Sequence, residues 1–266
     1  MTPTKFPKSL FRFGYWRDTN NRKMITNNEL FFAPYTSFSC NDEFNIKDDY
    51  ELDVDLKKMR DSINDDQLNR LKILDPSKRK AIVDKVMSEE NWKNEDVQRQ
   101  SHQEFLRKLE QQFGVLCFTY ELDNYTQWST FSEFAIELDT DFLIKDGKPI
   151  CSGDYVNYYD KANPPMTKPL TFSKEERVEE VNKVVYNLPS ELYSDEKEYR
   201  LTKYINTGRS RKLYFDSKHL KSIYIGANNS EKVIEEIKRA ASDRHPETKV
   251  FLQTLEGTKI SGFNSI

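Results

Sequence analysis

The densest run of chemically capable side chains is Asp195-Glu196-Lys197-Glu198-Tyr199-Arg200-Leu201. Strand alternation over this run puts Glu196, Glu198 and Arg200 on one face and Tyr199 and Leu201 on the other. Two carboxylates two residues apart on a strand raise one another's proton affinity unless a cation intervenes. Such pairs serve as acid–base groups in active sites and as plain salt-bridge ladders, and the pattern by itself favours the ladder. Arg12 is the second candidate. It falls between Phe11 and Phe13, and a guanidinium among aromatics on a strand needs an anionic partner, either a protein carboxylate or a ligand phosphate. Asn41-Asp42 reads as an Asx-turn, and Trp128, beside Gln127, as a core aromatic. His102, His219 and His245 stand alone in sequence and read as surface or capping residues rather than bases.

Several common chemistries are excluded by what is missing. With eight glycines and three histidines, the chain carries no Gly-rich phosphate loop, no serine-nucleophile elbow and no metal-binding His pair. Asp42, Asp139 and Asp141 offer no recognised spacing for a metal-dependent nuclease, and no metal is expected. Arg209, Arg211 and Lys212 beside Tyr214 interleave cations with an aromatic, which suits phosphates and stacked bases, although such a run is also an ordinary solvated turn. A nucleic-acid binder or nuclease is one reading of that segment. Net charge is only −3, so no overall field directs the chain to nucleic acid or to an anionic membrane.

The elements that must position these residues are legible in part. Ser9 to Tyr15 alternates as a strand, with Phe11, Phe13 and Tyr15 on one face and Leu10, Arg12 and Gly14 on the other. Glu29 to Ala33 reads as a second strand ending at Pro34, followed by a structured loop through Ser39 to Asp42. From about 53 to 113 the apolar spacing turns helical, at Leu56, Met59 and Ile63 and again at Phe105, Leu109 and Phe113, with a cap and start at Asp75-Pro76. Gly114 to Tyr120 reads as a central strand, and Asp146-Gly147 as the tight turn of a hairpin. Ser173 with Glu176 forms a capping box for a helix that stops near Pro189. Strands follow at about Glu196 to Tyr204, Arg211 to Phe215 and Ser222 to Ile225, then a helix from Ser230 to about Ala241 and a strand at Val250 to Thr254. The expectation is one α+β domain over 1–266, with a largely antiparallel mixed sheet and a helical insertion at about 53–113.

The 17 Phe and 14 Tyr among 266 residues are too many for a disordered chain. Cys40, Cys117 and Cys151 are odd in number and far apart, which fits a reducing compartment. Met1 to Lys8 lacks an apolar core, and nowhere do eighteen apolar residues run together. A cytoplasmic protein without a membrane partner is expected.

Taken in order, these pieces resemble a bacterial family catalogued as domain of unknown function number 2971. Leu10-Phe11-Arg12-Phe13 looks like its opening Tyr-Lys/Arg-Tyr strand, Phe38-Ser39-Cys40-Asn41-Asp42-Glu43-Phe44 like its Phe-x-x-Asn-Asp-Pro-Phe loop, and Phe113 to Thr119 like its Phe-Gly-x-x-Ser-x-Ser strand. Asn124 to Trp128 looks like the segment leading to its Met-Trp, Glu196 to Arg200 like its Glu-x-Glu-Trp/Tyr-Arg strand, and Ile223 to Gly226 like its late Ile-x-x-Gly. Glu43 replaces the loop proline, Cys117 and Thr119 replace two serines, and the stretch after Trp128 lacks the usual His and Gly.

An Arg strand, a Ser/Thr strand and a Glu-x-Glu strand in that order also look like the signature of arginine-type ADP-ribosyltransferases. That resemblance implies an ADP-ribosyltransferase-like fold and NAD as co-substrate. Arg12 would bind NAD, Thr119 would support the site, and Asn41, Asp42 and Arg200 would line the cofactor. Trp128 or Tyr125 would stack on nicotinamide. Glu198 would be the catalytic carboxylate and Glu196 would activate the acceptor, an unidentified protein or nucleic acid, or water. Toxin or phage-defence use would be a natural context. A non-catalytic interaction protein, with Arg12, Glu196, Glu198 and Arg200 in a buried ion network, is the competing reading.

Overall fold

The computed structural model describes residues 6–34, 112–131, 133–160, 181–183, 185–205, 210–257 and 259–266, with isolated positions at 100, 107, 162, 163, 165 and 179. Nearly all of the expected helical insertion lies outside the described residues, as do Asn41, Asp42, Cys40, His102, Ser173, Glu176 and Arg209.

In chain order the strands are β1 (Ser9–Gly14), β2 (Glu29–Phe31), β3 (Ala33–Pro34), β4 (Phe113–Thr119), β5 (Phe134–Asp139), β6 (Ile144–Lys145), β7 (Lys148–Pro149), β8 (Ser152–Tyr155), β9 (Asn157–Tyr159), β10 (Asn187–Pro189), β11 (Glu198–Tyr204), β12 (Lys212–Tyr214), β13 (Leu220–Ile225), β14 (Lys249–Glu256) and β15 (Lys259–Ser265). The described α-helices are α1 (Thr19–Thr26), α2 (Tyr125–Phe131), α3 (Ser190–Tyr193) and α4 (Glu231–Arg244).

Period-two alternation gives β1 two different cores. Leu10 joins the larger cluster, together with Leu116, Phe118, Ile136, Leu138, Tyr199, Leu201 and Ile223, under Met24 and Ile25 of α1 and Val233, Ile237 and Ala241 of α4. Phe13 points the other way, into a smaller cluster with Trp128, Ala135 and Tyr224, against which Phe11, Phe251 and Phe263 pack. Each such buried side chain contributes about 1.5–3 kcal/mol, so a sheet with two covered faces is well held.

The main sheet runs β15-β14-β13-β5-β1-β4-β11-β8, with β3 also on β4. Its neighbours are antiparallel except β13 and β14, which are parallel. Helix α4 connects that pair, capped at its start by Ser230, whose hydroxyl accepts from Val233 N, and at its end by His245. The architecture is therefore α+β with a mostly antiparallel sheet, as the element pattern implied. No helix among the described residues is long and apolar enough to cross a membrane.

The hairpin at 144–149 forms as expected, with Asp146 and Gly147 at φ 52° and 71°. The strand expected from Glu196 begins at Glu198, because Lys197 adopts a left-handed conformation (φ 50°) that breaks the extended run. The last long helix continues past Ala241 to Arg244. Helix α1, strand β5 and strand β15 have no counterpart in the sequence reading.

Candidate functional site

Strand β4 carries the site's framework because two strands share one of its edges. β3 pairs at Gly114 and Val115, whereas β1 meets β4 at the single pair Phe11 and Thr119. Cys117 falls in the gap, where its main-chain carbonyl would lack a strand partner on that side. Arg12 fills the gap, its Nη1 donating to the Cys117 carbonyl at 2.7 Å. The partner that the structure gives Arg12 is this neutral carbonyl, in the fork between the two strands. On the other edge of β4, Arg200 lies opposite Cys117 and Glu198 opposite Thr119. Phe11, Thr119 and Glu198 consequently form one cross-strand row, with Arg12 one residue along.

Glu198 and Arg200 share a face of β11 and form a buried ion pair. Arg200 donates to Glu198 Oε2 through Nε at 3.0 Å and Nη2 at 2.6 Å, and through Nη1 to the Val185 carbonyl at 2.8 Å. Residue exposures are 6% for Glu198 and 1% for Arg200. The Cys117 thiol is pushed well above its ordinary range, by burial first and then by the charge of Glu198 and a hydrogen bond to it, against the pull of Arg200 and Arg12. The Glu198 N–H donates to the Tyr158 hydroxyl at 2.9 Å. The Thr119 hydroxyl donates to the Lys197 carbonyl at 3.0 Å and accepts from the Glu121 N–H at 3.2 Å. Thr119 therefore pins the left-handed turn that delivers Glu198 to the strand.

Two of the sequence-derived placements change. Glu196 is not on the strand face: it is half-buried in a 3₁₀ turn (Ser194–Glu196), separated from Glu198 by the left-handed Lys197. Arg200, expected at a cofactor, is enclosed in the protein, where it holds Glu198 and the chain at Val185. Trp128 is a core aromatic, packed edge-on to Phe13 at 4.9 Å and tilted to Phe263 at 6.0 Å, its indole N–H donating to the Leu122 carbonyl at 2.7 Å. Tyr125, one turn earlier on α2, is 57% exposed. Asn124 joins α2 to the turn bearing Glu196, its Nδ2 donating to the Asp195 carbonyl at 2.6 Å and its Oδ1 accepting from Gln127 N at 3.1 Å.

The basic segment makes internal contacts. Arg211 Nη1 donates to the Phe113 carbonyl at 2.9 Å, while Lys212 Nζ and the Tyr214 hydroxyl donate to Glu29 Oε2 at 2.9 and 3.0 Å, tying β12 to β2. Burial acts to raise the pKa of Glu29, but those hydrogen bonds and the charges of Lys212 and Lys23 outweigh it and hold the carboxyl below its ordinary range. His219 Nδ1 lies 2.7 Å from Asp139 Oδ1, with Lys221 on the other oxygen. Buried His245 caps α4, its Nε2 at 2.8 Å from the Ile25 carbonyl, and burial lowers its pKa despite that bond. Among the described residues no group of three or more His, Cys, Asp or Glu is placed to hold a metal ion.

One feature was invisible in the sequence. A groove enclosing about 540 Å³ opens beside α2, lined by Tyr125, Trp128, Glu133, Asn229, Gln253 and Ile260 among others. Its residues come from three separate stretches of chain, at 125–133, 226–229 and 253–260, so no local motif marks it. Comparison with known protein families, curated proteins and solved structures found no match.

Proposed function

We propose that the chain is an ADP-ribosyltransferase-like enzyme that uses NAD as co-substrate, with its site at the fork of β1, β4 and β11. The observation that carries this reading is the cross-strand row. An Arg strand, a Thr strand and a Glu strand are adjacent, and Thr119 stands opposite both Phe11 and Glu198. Arg12 supplies the cation for the diphosphate, while Thr119 holds the turn before Glu198 rather than touching ligand.

In the reaction, the glycosidic bond between nicotinamide and ribose C1′ breaks and its electron pair leaves with neutral nicotinamide. The Glu198 carboxylate offsets the positive charge that develops on the ribose, as carboxylates do in glycoside hydrolysis. A nucleophile of a protein, a nucleic acid or water then bonds to C1′ and loses its proton, with half-buried Glu196 as the nearby base. Arg200 positions Glu198 rather than binding NAD.

One contact favours a second reading. Glu198 is already paired with Arg200, and a fully structural pair of this kind suits a non-catalytic interaction protein. One assay separates the two: nicotinamide release from NAD, with cell lysate as acceptor, by the wild type and by Glu198→Gln. Release abolished in the substituted protein supports the transferase. No release by the folded wild type removes it and leaves the interaction protein.

A further inference from the structure

We propose that the groove beside Trp128 is a second binding site, for an uncharged planar heterocycle of the nucleobase or nucleoside type. Arg12, Thr119 and Glu198 of the fork are not among its lining residues, and the proposal does not depend on the transferase reading. Its floor is the turn at the carboxyl end of β13. Gly226 N donates to the Glu133 carbonyl at 3.0 Å, Ala227 N donates to Gln253 Oε1 at 3.1 Å, and Asn229 Nδ2 donates to the Gly226 carbonyl at 2.9 Å. Glycine keeps that floor low, since a Cβ at 226 would sit 3.4 Å from the Trp128 ring and 3.3 Å from Asn229.

The recognition group is Gln253. It is only 6% exposed and lines the groove, its Oε1 is taken by Ala227, and its Nε2 has no hydrogen-bond partner. A buried amide donor without a partner is costly, and a ligand carbonyl or ring nitrogen would remove that cost. The position is also one where ligands collect. β13, α4 and β14 form a parallel β-α-β crossover, and the groove lies at the carboxyl end of its first strand.

Size, shape and charge narrow the ligand. A volume of about 540 Å³ suits a nucleoside-sized molecule. Tyr125 offers an exposed ring on which a base stacks. Glu133 lines the groove, and no Lys or Arg is among the described residues lining it, so the site favours a neutral base over a phosphate-bearing nucleotide.

The test uses the full chain and ligand-observed magnetic resonance with uridine and inosine, both of which carry carbonyl acceptors. NAD is left out, so failure here and failure of the transferase reading remain distinguishable. Both nucleosides are expected to bind the wild type at millimolar concentration or below. Gln253→Glu keeps an oxygen for Ala227 and replaces the donor with an acceptor, and it is expected to weaken both about tenfold or more. Tyr125→Ala, at an exposed position that leaves the fold intact, is expected to weaken them about tenfold. Absence of binding to the wild type, or unchanged binding by both variants, overturns the site. Uridine monophosphate binding as tightly as uridine overturns the assignment of a neutral ligand.

Discussion

Replacing Arg200 by Met tests how the fork is held together. The Arg200 and Glu198 side chains are 1% and 7% exposed, so the substitution leaves a largely buried carboxylate without its cation. Removing one partner of a buried ion pair costs about 3–5 kcal/mol, and loss of the bond to the Val185 carbonyl adds about 1 kcal/mol. A penalty of about 4–6 kcal/mol lowers Tm by about 8–12 °C in a chain of this size. Because most of the cost comes from the orphaned charge, Glu198→Gln in the Arg200→Met background is expected to recover at least half of it. Urea denaturation followed by circular dichroism on the wild type, both single variants and the double variant closes the cycle. An Arg200→Met loss below about 1 kcal/mol, or a double variant no more stable than Arg200→Met, would refute the idea that charge burial governs this site.

Three further outcomes follow from other parts of the molecule. Gly114→Ala places a Cβ 2.5 Å from Cβ of Phe32, so overpacking is expected to cost about 1–3 kcal/mol in the same denaturation assay; unchanged stability would contradict the close approach of Phe32 to β4. Because Glu29 is held below its ordinary pKa, its stabilisation is present above the range of an unfolded carboxyl and is lost as pH falls through the folded value. Thermal melts of Glu29→Gln should therefore lie below the wild type at about pH 7 and converge with it in acid, and a gap that widens in acid would reverse the sign. Burial pushes the Cys117 thiol well up and the Cys151 thiol to about 12, so a Cys40→Ser variant should resist a disulfide reagent at about pH 8 until it is unfolded. Rapid labelling of the folded variant would contradict that burial.

Much of this arrangement was legible in the sequence where local rules and tertiary packing agree. β1 alternates cleanly because each of its faces meets a separate core, and Asp146-Gly147 declares its hairpin through positive φ angles. Strand β5 escaped because Phe134, Ala135, Ile136 and Leu138 are buried on both faces, which erases the period of two. Helix α1 escaped because its first turn, Thr19 to Arg22, is polar, and only Met24 and Ile25 are buried. The displacement of Glu196 from the strand depends on Lys197 at positive φ, a conformation that a lysine does not advertise. Glu198, Arg200 and Arg12 stood out by residue type and strand alternation, whereas the carbonyls of Val185 and Cys117, which Arg200 and Arg12 meet, carry no side-chain signal. Gln253 is likewise ordinary in sequence, and only the fold sets it against the turn after β13.

The central claim is that Arg12 and Glu198 serve NAD at the fork, and calorimetric titration of NAD into the wild type and Arg12→Gln tests it most directly. A guanidinium–phosphate contact is worth about 1.5–3 kcal/mol, so the account predicts binding by the wild type that weakens about tenfold or more in the variant. No binding by the folded wild type at millimolar NAD, or equal binding by the two proteins, would contradict it.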